Sequence, residues 1–567
     1  MSVARPPDGS FPRGPAGGVR PEGSGEPRRG APVDREALPQ GSSGGVPRLG
    51  AEIPRRGAQG DREGRAAVPL QQAMAGLLLA AAVLWLLAPF AGVDPPGDLT
   101  SSNAPWTDEG FNLGNARERV LAGHFATGDL DRSLTNGAYS ALAAGLFTIT
   151  GPSLAAGRAL SMVAVAGAVL LLALGLAGPL GRRAALLAAA ALGGSNLLLE
   201  HGRLALVEAT VVVLLAGAFV LAARAAWRPS ATAGIGFGLL VAAAVSVKAI
   251  ALLPGMLMLA VVLVAAAFRR DRAALVMGLA GLATMLLAGA AWVAAVAVPN
   301  WERFRTALRV WPTVDYLDGP VAAAGRLGRY LTESDQALVR SLPLLLAAAL
   351  GLAALARRWP RLAPAARDAL VMAALWGVGL WLAVAVADYL PDHYTPPNRY
   401  VVPALPGLAV LAGFGLAELA AAAGRRRATV VGVALGLAVA VPGVAVYLDG
   451  ALGSGRSREL GQRVLAASLP QDAVVYGAYA PTLLFDTRLA ALTPWPSADA
   501  NVRDPVGRLG VTHVLVGGHP ADPTGRVPTL TQRGAISLLA RVRWGSQELV
   551  LYGLPARAEA GVSPVPR

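Results

Sequence analysis

The chain has no cysteine, which excludes a disulfide framework and every thiolate metal site. Only one of its 50 basic side chains is a lysine, Lys248; every other is arginine. Its five histidines show neither an HExxH pair nor any other paired spacing, so no motif points to zinc. Charge is scarce as well: Asp, Glu, Lys and Arg make up 15% of 567 residues, against the roughly 25% usual in globular chains. That scarcity excludes an ordinary soluble protein.

What is abundant is apolar surface. Hydrophobic residues are 54% of the chain, and the mean hydropathy is +0.49. They arrive in runs of about 18 to 25, the length that crosses a bilayer as helix. The first run covers 70–91, and others follow at 154–178, 184–199, 204–226, 232–249, 251–268, 273–298, 341–357, 369–387, 401–422 and 428–447. The reading is a polytopic α-helical membrane protein of about eleven transmembrane helices. Segments 115–124 and 138–149 are too short to span and read as helices lying at the membrane surface.

The net charge of +14 suggests a nucleic-acid binder until the arginines are placed. They lie in the N-terminal tail and in short turns, as topology signals do, so no nucleic-acid partner is expected. Residues 1–69, rich in Gly, Pro, Arg and Ser, read as a disordered basic cytoplasmic tail. With that tail inside, the turns holding Arg182 and Arg183, Arg224 and Arg228, Arg269 to Arg272, Arg357 to Arg367, and Arg425 to Arg427 all fall on its side. The pair Asp108-Glu109, the loop 299–340 and the approach 388–399 fall on the other. The positive-inside rule then predicts a multi-pass protein of the cell membrane with a cytoplasmic N-terminus. The transmembrane region is 70–448, with outer loops at 92–153 and 299–340.

An odd number of spans sends 449–567 outside. Val474 to Tyr476 and Val514 to Val516 read as buried strands, 536–542 with 548–552 as a hairpin, and 458–469 as a helix stopped before Pro470. This is a small extracytoplasmic α/β domain. It shows no Gly-rich phosphate loop and is assigned no chemistry.

Ionisable groups at membrane depth are costly and by default mark function. On the outer side they are Asp108, Glu109, Glu200, His201, Arg203, Glu208, Lys248, Asp388, His393 and Arg399. Asp108 or Glu109 has the chemistry of a general base toward an acceptor hydroxyl, or is a solvated loop charge. Glu208, within a span, needs a partner, and its five-residue separation from Arg203 turns the two away from one another. Lys248, at a helix end, offers a point charge to a phosphate or snorkels to the interface. Arg399, beside Tyr400 and after Pro396-Pro397, offers a bidentate phosphate contact or an interfacial anchor. His201, His393 and Tyr400 complete the set as candidate substrate contacts.

Four of these patches together resemble the GT-C superfamily of membrane glycosyltransferases. They are Asp108-Glu109 in the first outer loop, Arg203 to Glu208 entering a middle span, Lys248 at an outer helix end, and Arg399-Tyr400 before Pro403 and Pro406. The nearest branch is that of protein O-mannosyltransferases and lipid A aminoarabinose transferases, and the likeness covers about 70–555. The resemblance implies a polyprenyl-phosphate sugar donor, Asp108 as catalytic base with Glu109 beside it, and Lys248, Arg399 and Arg203 on the donor phosphate. Glu208 stands where the family usually has Asp. The implied reaction is a single inverting displacement onto an acceptor hydroxyl of a glycan, lipid or protein. No cofactor is implied, and no ligand spacing demands a divalent cation.

Two other classes are weighed. A transporter or flippase of lipid-linked sugars predicts internal repeats and helices broken at mid-membrane. No repeat relates the two halves, and the ionisable groups gather at one face. A non-catalytic scaffold gives Glu208 and Lys248 no reason to share a side.

Overall fold

The computed structural model describes residues 70–95, 104–123, 133–302, 305, 320–333, 337–386, 398–492, 510–517, 537–544 and 547–554. The expected tail at 1–69, residues 303–304, 306–319 and 334–336 of the expected 299–340 loop, and Asp388 and His393 lie outside the described residues. The chain is a multi-pass helical membrane protein. Among the described residues nine helices are long and apolar enough to cross a bilayer. The remaining two expected spans take other forms. Arg182–Gly193 and Asn196–Gly202 are a bent pair meeting at 59°, and Ala231–Val247 is an apolar helix of 17 residues.

The bend has a local cause. Gly193, Gly194 and Ser195 interrupt the run expected as one span; Gly194 faces Ala440 of the helix Ala428–Gly453, and Gly193 faces Val83 and Val169. A Cβ on Gly443 would stand 2.0 Å from the Gly194 carbonyl oxygen, so the two backbones touch and no larger residue fits. Close approach through small residues is the usual means of helix packing in lipid. Elsewhere the helices start on ordinary caps. Ser153 accepts from Ala156 N–H, Ser230 from Ala233 N–H, and Asp271 from Ala273 and Ala274 N–H.

The first loop differs from its expected form. A helix runs from Ala104 to Ala122, so Asp108 and Glu109 sit on a helix rather than in a polar loop. Polar composition hid it, but its face carrying Phe111, Leu113 and Ala116 is buried. A second helix, Ser133–Thr150, packs on it and extends the segment expected at 138–149. Glu208 likewise lies in the first turn of Val207–Ala223, one residue after the helix begins, rather than deep in a span.

The C-terminal segments form one five-stranded sheet. Its strands are β1 Val474–Tyr476, β2 Ala490–Leu492, β3 His513–Gly517, β4 Ser537–Trp544 and β5 Gln547–Gly553, in the order β2-β1-β3-β5-β4. β1 runs parallel to β2 and β3, with Val475 opposite His513; β5 is antiparallel to β3 and β4, with Leu515 opposite Leu551 and Trp544 opposite Gln547. Val475, Leu515, Trp544, Leu549 and Leu551 pack against Leu465 of the helix Ser457–Ser468 and against Tyr479 and Leu483. The Asp94 carboxylate caps that helix from the first loop, accepting from the Ser457 N–H at 2.7 Å and its hydroxyl at 2.6 Å.

Candidate active site

Neighbours on an α-helix point about 100° apart, and Asp108 and Glu109 accordingly enter different surroundings. Asp108 accepts an ion-paired hydrogen bond from Arg399 Nη1, a residue 291 positions away. The two side chains are 19% and 14% exposed. Arg399 is the second residue of the short helical segment Asn398–Ala404. Trp376 Nε1 donates to the Pro403 carbonyl at 2.8 Å and pins that segment against the bundle.

From Arg399 the charges continue in a chain. Its guanidinium carbon stands 5.3 Å from the Tyr400 ring centroid, and Lys248 Nζ stands 4.1 Å from the same ring. Cations at such distances are attracted by the ring face. Lys248 Nζ in turn donates to Glu208 Oε1 at 2.5 Å. Lys248 ends the helix Ala231–Val247 in an extended conformation, which aims its side chain across at the start of Val207–Ala223. His201 lies within electrostatic reach of Glu208, Arg399 and Lys248. Its Nδ1 lies 2.8 Å from the Leu197 carbonyl. A carbonyl only accepts, so Nδ1 carries the proton and Nε2 is left as an acceptor.

Five predicted residues are thus brought together: Asp108, Arg399, Tyr400, Lys248 and Glu208, with His201 beside them. They come from four distant parts of the sequence. Three of their buried polar atoms, Glu208 Oε2, His201 Nε2 and Arg399 Nε, have no hydrogen-bond partner among the described residues. Buried polar atoms are rarely left so, and these three have hydrogen-bonding capacity to offer a ligand.

Glu109 and Arg203 belong elsewhere. Glu109 is fully buried, and Arg158 grips its two oxygens at 2.8 and 2.6 Å. The Ala205 N–H also donates to it at 2.7 Å. Arg158 Nη1 donates to the carbonyls of Ala91 and Val93. Arg203 is buried too, and donates at 2.9 Å to the carbonyls of Val93 and Asp94. Arg203, expected on the donor phosphate, here directs its guanidinium at backbone, because the chain leaving the first span passes across it.

Arg158 was not singled out in the sequence. Its signal is a lone charge inside the apolar run 154–178, the same criterion that marked Glu208. Among the described residues, no group of three or more His, Asp or Glu side chains gathers at metal-binding distance.

No family model matches the chain, and no curated protein matches it by sequence. Solved structures do resemble it. ArnT from Cupriavidus metallidurans, a lipid A aminoarabinose transferase solved with undecaprenyl phosphate bound, superposes with a TM-score of 0.53 at 17% identity. The match covers 85% of this chain and 98% of that one. The oligosaccharyltransferase of Archaeoglobus fulgidus gives 0.46 at 13% identity, over 76% of this chain and 67% of its own. The chain shares the GT-C-like fold of ArnT, a multi-pass helical bundle with a small C-terminal sheet.

Proposed function

We propose that the protein is an integral-membrane glycosyltransferase that moves a sugar from a polyprenyl-phosphate donor to an acceptor hydroxyl on the extracytoplasmic side. The observation that carries this reading is the single chain of charges from Asp108 through Arg399 and Lys248 to Glu208. One site thus offers a base for the attacking oxygen and two cations for the departing phosphate, the groups that a displacement at a sugar–phosphate bond uses.

In the reaction the acceptor oxygen attacks the anomeric carbon and its proton passes to Asp108. The bond from that carbon to the phosphate oxygen breaks on the opposite face, which inverts the centre. The lipid phosphate gains one negative charge as Asp108 loses one. Arg399, paired with Asp108 beforehand, is thereby released toward the leaving phosphate at the moment the charge appears there. Lys248 holds the same phosphate as a point charge, and Glu208 keeps Lys248 in place. Glu208 Oε2 and His201 Nε2 remain as acceptors for sugar hydroxyls. Glu109 and Arg203 act in this reading as scaffold, while Tyr400 borders the donor.

A flippase of lipid-linked sugars has one observation in its favour, the broken pair Arg182–Gly193 and Asn196–Gly202, a form transporters share. Proteoliposomes loaded with undecaprenyl-phosphate hexoses and pentoses separate the two. The transferase reading expects donor to be consumed and undecaprenyl phosphate released in the presence of hydroxyl acceptors. Intact donor crossing the bilayer, with none consumed, would overturn it.

A further inference from the structure

The C-terminal domain contributes nothing to the chain of charges, yet it holds the helix that carries Asp108. Two and a half turns along that helix, Arg117 is buried against the segment between Leu483 and β2. Its Nε donates to the Phe485 carbonyl at 3.0 Å, and its Nη2 to those of Thr487 at 2.7 Å and Leu489 at 2.9 Å. Nearer Asp108, the Gly110 N–H donates to Thr482 Oγ1 at 2.9 Å. A Cβ on Gly110 would stand 2.2 Å from Thr482 N and 2.3 Å from the Pro481 carbonyl carbon, so backbone lies directly on backbone.

Three carbonyls around one planar guanidinium fix rotation as well as distance. That precision matters for a base. A rotation of about 10° moves a carboxylate some 6 Å from the helix axis by roughly 1 Å. A misplacement of that size costs on the order of 10²-fold in rate. Its remaining terminal nitrogen, Nη1, donates to the Glu118 carboxylate on the same helix at 2.7 Å, so the charge is met within the helix while the three carbonyls across the contact fix the orientation. Mere attachment of the two regions requires nothing so specific.

We infer that the connection between β1 and β2 of the C-terminal domain is a clamp on the Asp108 helix and that Arg117 is a positioning residue for the transfer. The catalytic half of this inference rests on Asp108 being the base. The absence of cysteine makes the clamp testable separately. Leu121→Cys and Ile149→Cys, both at exposed positions, place a spin-label pair on the Asp108 helix and its neighbour in the full chain. In nanodiscs, Arg117→Gln should broaden the distance distribution between the labels. Turnover with undecaprenyl-phosphate hexoses and pentoses should show kcat lowered 30- to 100-fold, with donor KM and undecaprenyl phosphate affinity within twofold. Arg117→Lys, whose donors all sit on a single nitrogen, should recover only part of kcat.

Should Arg117→Gln fail to fold, Thr482→Val, which removes the acceptor of the Gly110 N–H, replaces it with the same expectations. An unchanged distribution with kcat within twofold would overturn the clamp. A broadened distribution in a protein whose unmutated form transfers no sugar would leave the clamp standing and remove the reading of the reaction.

Discussion

Two networks of charge meet the helix bearing Asp108 and Glu109, and they differ in how completely their atoms are used. Around Glu109, Arg158 and Arg203, side chains are at most 1% exposed, and most donors meet a carboxylate or carbonyl. Around Asp108, Arg399, Lys248 and Glu208, three of the four side chains retain 14 to 19% exposure, and Arg399 Nε and Glu208 Oε2 lack partners among the described residues, against Arg203 Nε in the first network. The first network is closed and the second open. A closed network stiffens a fold; an open one still has capacity for a ligand. The same residue types one position apart therefore take opposite roles, and surroundings, not identity, decide between them.

The comparison can be broken from either side. The largest effect is expected for Arg399→Ala, which removes both the partner of Asp108 and a cation for the leaving phosphate. Transfer should fall about 10²- to 10³-fold, while the melting midpoint in detergent moves little. On the closed side, Glu109→Gln leaves Arg158 buried against a neutral amide and should destabilise the protein by about 3–5 kcal/mol. Replacing both members, Glu109→Leu with Arg158→Met, should regain much of that stability, as buried pairs exchanged for apolar ones often do. The paired replacement at Asp108 and Arg399 should regain no activity. Either result reversed would erase the distinction.

Smaller effects sharpen it. Lys248→Met should weaken undecaprenyl phosphate binding roughly tenfold, or about 1.4 kcal/mol, as measured by titration in nanodiscs. The smallest effect lies in the sheet. Burial pushes the His513 imidazole below its ordinary value, with Asp472 opposing. The unfolded chain then binds the proton more readily, so this contribution is present above pH of about 6.5 and is lost as pH falls below it. The melting midpoint should drop between pH 7.5 and 5.5, and the drop should shrink in His513→Gln.

How much of this was legible in the sequence follows from what each signal measures. Hydropathy runs found the helices because crossing a bilayer imposes a length. The same measure merged Arg182–Gly193 with Asn196–Gly202, since a bend at two glycines does not alter composition. It also passed over the helix Ala104–Ala122, which is polar and earns its stability from contacts made elsewhere in the chain. Lys248, Glu208 and Arg399 stood out as charges at helix ends. Their pairing did not, because Asp108 and Arg399 meet across 291 residues. The separation of Glu109 from Asp108 depended on Arg158, a single charge in an apolar run. The grip of Arg117 is on carbonyls, which every residue has and no motif records.

One measurement bears most directly on the division between the two networks: single-turnover transfer by Asp108→Asn preloaded with undecaprenyl-phosphate hexoses and pentoses and then given acceptor. The account predicts that donor binds within a few fold of the unmutated protein and that almost no glycosylated product forms. Product appearing at near the unmutated rate would contradict it, and would leave the meeting of Asp108 with Arg399 as one more piece of scaffold.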